Sequence, residues 1–135
     1  MSRQIIMTEP DKVKLQKLIN DILMTEVDGT DHVRALDAEM SRAVIVPAGQ
    51  VPPDVITMNS RAQLSFDDGE DETYTLVYPD EADMSENLVS VLSPVGTAIL
   101  GYRAGDEVDW KVPDGVVTIR VISVEYQPEA AGDER

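Results

Sequence analysis

The first fifty residues carry apolar side chains at helical spacing. In the first stripe five apolar positions recur within nine residues: Leu15, Leu18, Ile19, Ile22 and Leu23. This spacing predicts an amphipathic helix. Thr8 can cap it, and Pro10 suits the opening turn because the N–H that proline lacks would have had no helical partner there.

A second apolar stripe follows the turn signal Asp28-Gly29. Its members share one helical face: Val33, Leu36, Met40, Ala43 and Val44. Either Thr30 or Asp31 can cap this helix. Two stripes joined by a short turn predict an antiparallel helical hairpin, a short coiled-coil finger, over residues 1–46. At about 14 residues each, the two helices would be about 21 Å long.

The pattern changes after residue 46. Residues 47–53 include three prolines and predict a linker. Residues 54–135 then form a second predicted domain, with strands expected at 55–58, 62–66, 73–78, 88–92, 108–112 and 116–126. Ser93 as N-cap, Pro94 at the first helical position and Gly101 at the end predict one short helix. The fold class is therefore α+β, with a twisted, mostly antiparallel sheet over a short helix.

The last predicted strand changes phase along its length. Its apolar side chains occupy odd positions as far as Val121 and even positions from Ile122 onward. A strand of strict period 2 cannot bury both sets on one face, so we predict a bulge near Val121–Ile122. The polar tail over residues 127–135 is expected to fray.

The composition of the chain excludes several kinds of functional site. The 135 residues carry a net charge of −15, with no cysteine and one histidine, which excludes thiol chemistry and any site that needs two imidazoles. The acidity argues against direct nucleic-acid binding. No apolar run reaches the roughly 20 residues of a membrane span, and no secretory signal is visible. These features predict a soluble, cytoplasmic protein that either binds other proteins or carries out carboxylate chemistry.

The negative charge is concentrated in the second predicted domain. Residues 1–50 carry 6 basic and 8 acidic side chains (6 − 8 = −2), and residues 51–135 carry 5 and 18 (5 − 18 = −13). Nine carboxylates and no base lie between residues 67 and 86. Such a run is typical of a solvated face, or alternatively of a surface that steers a basic protein partner.

Several motifs together resemble the Gre transcript-cleavage factors. They are Val89–Gly101, which contains Ser93-Pro94-Val95-Gly96, then Ala104–Val108, Pro113-Asp114-Gly115 and Val124-Glu125-Tyr126. Within that superfamily, residues 54–60, 75–79 and 125–133 are more similar to the group of nucleoside diphosphate kinase regulators. The resemblance covers nearly the whole chain and is weakest over the first 50 residues.

The resemblance implies a C-terminal domain of FKBP-like fold and binding to RNA polymerase at the edge of its secondary channel. It also implies that Ser93, Pro94, Val95 and Gly96 contact the polymerase. The same residues can also be explained by capping of the short helix. Capping the helix and contacting the polymerase are compatible roles. Prolyl isomerase activity is not expected, because an aromatic-lined pocket would need more aromatics than this chain can spare from its core.

The fingertip acids Glu26, Asp28 and Asp31 admit two interpretations. They could help to hold a metal ion at the polymerase active site, as acids do in the cleavage-active factors of the family. Alternatively, Asp28 makes the turn and Asp31 caps the second helix. The predicted finger is about half as long as that of the cleavage factors, which favours the second interpretation.

We therefore expect a non-enzymatic transcription regulator that binds RNA polymerase and competes with Gre-type factors without stimulating transcript cleavage. We expect it to be monomeric, with no cofactor, no metal and no catalytic residue. The alternatives are a metal-assisted cleavage cofactor acting through the fingertip acids, or a general acidic protein-binding module. A direct effect on nucleoside diphosphate kinase is not expected, because the sequence contains no nucleotide-binding loop.

Overall fold

The computed structural model describes residues 4–25, 30–66, 69, 71–112 and 115–132, with backbone only for residues 110–112. Two helices form an antiparallel hairpin: α1 (Glu9–Thr25) and α2 (Asp31–Met40). Leu15 and Ile19 of α1 and Val33, Leu36 and Met40 of α2 are buried, so these members of the predicted stripes face inward. Helix α2 ends at Met40, before Ala43 and Val44 of the second predicted stripe, and Val44 is exposed. The helices are unequal, about 26 Å and about 15 Å long at ~1.5 Å per residue, instead of equal as predicted.

A parallel pair of two-residue strands closes the base of the hairpin. Strand β1 (Ile6–Met7) precedes α1, and β2 (Val44–Ile45) follows α2. The amide of Val44 donates to the carbonyl of Ile5 (2.8 Å), and the amide of Val46 donates to that of Met7 (3.0 Å). The sequence analysis did not predict these strands, because two residues are too few to show an alternation.

A five-stranded sheet forms the C-terminal part of the fold. Its strands are β3 (Arg61–Phe66), β4 (Asp71–Val77), β5 (Leu88–Ser90), β6 (Glu107–Val112) and β7 (Gly115–Tyr126), in the order β5-β4-β3-β7-β6. All pairs are antiparallel except β4–β5. Helix α3 (Pro94–Ile99) lies between β5 and β6 in sequence, as predicted. Gly101, at the predicted end, has φ +87°, the left-handed conformation that glycine favours.

The predicted irregularity in the last strand is confirmed. Opposite β3, Gln63 pairs with Ser123 but Leu64 pairs with Val121, so Ile122 is the extra residue of a bulge. Val121 is fully buried, whereas Ile122 is exposed. The bulge shifts the inward-facing side chains from odd to even positions. Ile119 and Val121 are buried before it, and Val124 is half-buried after it.

Two predictions from the second half of the chain were wrong. Residues 55–58 are buried but form no strand, because Val55 makes a single bridge with Arg103 and the left-handed Asn59 (φ 67°) turns the chain. The tail was expected to fray, but its described part, residues 127–132, contains a short helix, α4 (Pro128–Ala131). The side chain of Gln127 is buried and donates to the carbonyls of Pro52 and Val55, both at 2.7 Å.

The helical hairpin and the sheet share one core. A single cluster of buried side chains contains Leu15, Ile19 and Leu36 of the hairpin together with Leu64 and Val121 of the sheet. The division into a finger (1–46), a linker (47–53) and a domain (54–135) stays a prediction from sequence. Among the helices that the structure describes, none is both long and apolar enough to span a bilayer.

Candidate functional site

The predicted contact segment Ser93–Gly96 opens helix α3. The hydroxyl of Ser93 accepts a hydrogen bond from the amide of Gly96 (3.1 Å) and donates one to the carbonyl of Ser90 (2.6 Å). Ser93 is thus the N-cap that the sequence predicted. Pro94 is exposed, and Ser93 and Val95 are partly so. These three side chains form the accessible part of the segment.

Gly96 has a structural role that the sequence did not reveal. Its residue is buried, and a Cβ built on it would overlap the carbonyl oxygen of Ser90 and lie 2.9 Å from the Cα of Val91. The missing side chain therefore permits close packing of α3 on the end of β5. The sequence analysis had named Gly96 among the residues that contact the polymerase or cap the helix, and had not assigned it a packing role.

Of the three fingertip acids, the structure describes only Asp31. Glu26 and Asp28 lie outside the described residues. Asp31 is exposed in the first turn of α2, where a carboxylate complements the helix dipole, and Thr30 occupies the N-cap position. In the described part of the chain, no group of three or more His, Cys, Asp or Glu side chains could hold a metal ion.

One hydrogen bond joins the start of α2 to the start of α3. The Nε2 atom of His32 lies 3.0 Å from the carbonyl oxygen of Leu92, so this nitrogen carries the proton and donates it. Asp31 and Ser93 are each one residue away from this bond along the chain. The structure thus brings the hairpin end next to the predicted contact segment. Sequence reasoning did not find this contact, because no local pattern links positions 60 residues apart.

A second polar contact fixes the other end of the hairpin. The hydroxyl of Tyr78, next to β4, donates to Oδ1 of Asp11 in α1 (2.7 Å). The ammonium of Lys14 lies 3.9 Å from the centre of the Tyr78 ring, within the range of a cation–π contact. Burial, then the hydrogen bond to Asp11 and the nearby charges of Asp11 and Glu129, raise the pKa of Tyr78 above its ordinary value. Tyr78 therefore stays neutral and a donor at physiological pH.

The acidic stretch lies just before β5 and α3 in sequence. Of its described acids Glu72 is partly buried, and the others are exposed: Asp71, Asp80, Glu81, Asp83 and Glu86. Asp83 also caps a short 3₁₀ turn, because its Oδ1 accepts from the amide of Ser85 (3.0 Å). These carboxylates form a solvated surface, and its contact with a partner stays a prediction.

The family described as "Transcription elongation factor, GreA/GreB, C-term" matches residues 51–126. This range includes the contact segment and all five strands of the sheet. The chain belongs to the GreA/GreB family. The resemblance found in the motifs is thereby confirmed.

Individual relatives extend the match beyond this region. The Escherichia coli (strain K12) protein named "Regulator of nucleoside diphosphate kinase" is 42% identical over an alignment of 127 residues, and the match covers 86% of this chain and 93% of that protein. "Transcription elongation factor GreA" of Desulfovibrio desulfuricans is 35% identical over 97 residues, 71% of this chain but only 60% of that protein. This Gre family member therefore aligns with most of the first relative and with a part of the second.

A solved structure supports a Gre-like fold. The structure titled "Prokaryotic transcription elongation factor GreA/GreB from Nitrosomonas europaea" superimposes with a TM-score of 0.75 at 35% identity, covering 93% of this chain and 100% of that one. The mixed α+β architecture, with an N-terminal helical region and a C-terminal sheet, is thus confirmed. The homology supports a transcription-factor-like regulator.

Proposed function

We propose that this Gre family member binds RNA polymerase near the secondary channel and competes there with Gre-type factors, without stimulating transcript cleavage. The observation that carries the proposal is the contact between the hairpin and α3, where His32 bonds to Leu92. Because the start of α2 is held beside α3, the described hairpin is packed along the C-terminal unit. A hairpin held in this way keeps Asp31, the one fingertip acid that the structure describes, beside the docking surface.

The docking surface in this proposal is the exposed start of α3. Pro94 is the most accessible residue of the segment, with Ser93 and Val95 beside it. Gly96 acts indirectly by letting α3 sit against Ser90. The exposed acids before β5 would add an attraction to a basic surface of the polymerase, which favours fast association at low salt.

Several finer features belong to the same proposal. The C-terminal unit is of FKBP-like class, which is supported by the mostly antiparallel five-stranded sheet with one short helix between its strands. The protein acts as a cytoplasmic monomer and makes protein contacts with the polymerase instead of contacts with the template. A charge of −15 supports the last point, because it repels phosphate backbones.

Substitution of Pro94 tests the docking surface. Pro94→Glu should weaken binding to purified RNA polymerase at least about tenfold, because it places a charge in the contact, while the thermal midpoint changes little. Pro53→Glu is the matched control: Pro53 is also exposed, lies in a turn, and is outside both the contact segment and the acidic stretch. Binding by the control should stay within about twofold of the parent protein. Unchanged binding by Pro94→Glu would place the contact elsewhere.

A further inference from the structure

A cleft of about 590 Å³ lies between the two ends of the chain, away from the contact segment. It is lined by the first turn of α1, by β2 and the residues after it, and by α4. Its apolar lining includes Ile45, Val46, Met58 and Pro128. Because the lining comes from residues far apart in sequence, the cleft exists only in the folded chain.

The charged side chains that line the cleft all have the same sign. They are Glu9, Asp11 and Glu129, and the described lining contains no lysine or arginine. Asp11 accepts a hydrogen bond from the hydroxyl of Tyr78, and Glu129 accepts one from that of Thr57 (2.8 Å). Neutral hydroxyls do not cancel these charges. Within the part of the chain that the structure describes, none of the three acids forms a salt bridge.

The strand beside the cleft has an open edge. The amides of Val44 and Val46 both donate to β1, so the N–H and C=O of Ile45, which lies between them, are directed to the other side of the strand. Among the described strands only β1 pairs with β2. Ile45 lines the cleft and is 40% exposed. An unpaired strand edge is a template for another extended chain.

We propose that this cleft binds an extended peptide segment of a partner protein, in which basic side chains lie two residues before and two residues after an apolar one, because these positions share one face of a strand. The peptide backbone would pair with Ile45, its apolar side chain would contact Ile45 and Met58, and its basic side chains would meet Glu9, Asp11 and Glu129. A second copy of this acidic chain is a poor occupant, because its net charge of −15 is repelled. The inference goes beyond the proposed docking through α3 and does not depend on it.

Fluorescence anisotropy with a labelled nine-residue peptide, in which lysine and valine alternate at the odd positions and serine fills the even ones, tests this proposal without any polymerase. The full chain should bind this peptide, and should not bind a glutamate–valine peptide of the same length. Loss of two charges in the double variant Glu9→Gln/Glu129→Gln should weaken binding at least about tenfold. The amide that replaces the Glu129 carboxylate keeps an oxygen that can accept from Thr57, so the fold is preserved.

Two matched controls separate the cleft from general electrostatics. Glu81→Gln/Glu86→Gln removes the same charge from exposed residues outside the cleft and should leave binding within about twofold. Ile45→Thr should weaken binding several-fold, whereas Ile122→Thr, at an isoleucine of similar exposure (43%), should not. No binding of the lysine–valine peptide, or equal losses in test and control variants, would overturn the proposal.

Discussion

At Gly96 the backbone of α3 passes so close to Ser90 and Val91 that no side chain fits between them. Replacement with alanine forces these two backbones apart. Gly96→Ala should therefore lower the free energy of unfolding by about 1–3 kcal/mol, even though alanine favours helix more than glycine does. Urea unfolding monitored by circular dichroism measures this change.

Gly49→Ala is the matched control for this substitution. Nothing lies within 4 Å of a Cβ built at Gly49, and its residue is exposed. Its free energy of unfolding should stay within about 0.5 kcal/mol of the parent value. If both variants unfold at the same urea concentration, Gly96 does not have the packing role assigned to it.

The raised pKa of Tyr78 makes the stability of the whole fold depend on pH. An unfolded tyrosine ionises near its ordinary pKa of 10.0, whereas the raised pKa keeps Tyr78 protonated in the folded chain. The stabilisation is therefore complete below pH 10 and is lost as the pH rises above it, with a slope of up to about 1.4 kcal/mol per pH unit.

Tyr78→Phe isolates this contribution. At neutral pH the variant should be about 1–2 kcal/mol less stable, because the hydrogen bond to Asp11 is lost. The difference between parent and variant should shrink above about pH 10, since phenylalanine does not titrate. Unfolding measured at several pH values gives both quantities. A stability difference that is constant between about pH 8 and pH 11 would contradict the assignment.

At the scale of secondary structure, period and capping signals in the sequence predicted most elements. The hairpin stripes, α3 with its Ser93 cap and the bulge in β7 all follow from side-chain spacing within one segment. The β1–β2 pair and the irregular segment after Val55 were not predicted, because they are held by partners distant in sequence. For the same reason the His32–Leu92 contact, which joins positions 60 residues apart, had no local signal.

The bulge makes two neighbouring positions of β7 energetically different. Val121 is fully buried, and Ile122 is 43% exposed. Val121→Thr places a hydroxyl in the core and should lower the free energy of unfolding by about 1–3 kcal/mol. Ile122→Thr should change it by no more than about 0.5 kcal/mol. Chemical denaturation of the two variants makes the comparison, and a larger loss at Ile122 would show that the register is wrong.

For the whole molecule, the central feature is that hairpin and sheet share one hydrophobic core. Buried side chains of α1 and α2 belong to the same cluster as those of β3 and β7. Polar contacts at two places, Asp11 with Tyr78 and His32 with Leu92, attach the hairpin further. A hairpin attached in this way serves the proposed competition for a docking site better than it serves delivery of acids to a distant active site.

The sequence predicted the α+β class and the family, but not this attachment. Amphipathic stripes show that each helix has an apolar face, and they do not show which surface covers it. The accessible part of the candidate site was likewise only partly predictable: the motif identified Ser93, Pro94 and Val95, while the structure shows that Gly96 is buried.

A transcript-cleavage assay on backtracked RNA polymerase tests the central claim most directly. Added alone, this protein should leave the rate of cleavage at the level of polymerase by itself. Added in excess together with a GreA-type factor, it should slow the cleavage that the factor stimulates, and Pro94→Glu should slow it much less. Faster cleavage with the protein alone would contradict the account and favour a cleavage cofactor that acts through the fingertip acids. Undiminished cleavage in the mixture would contradict the proposed competition.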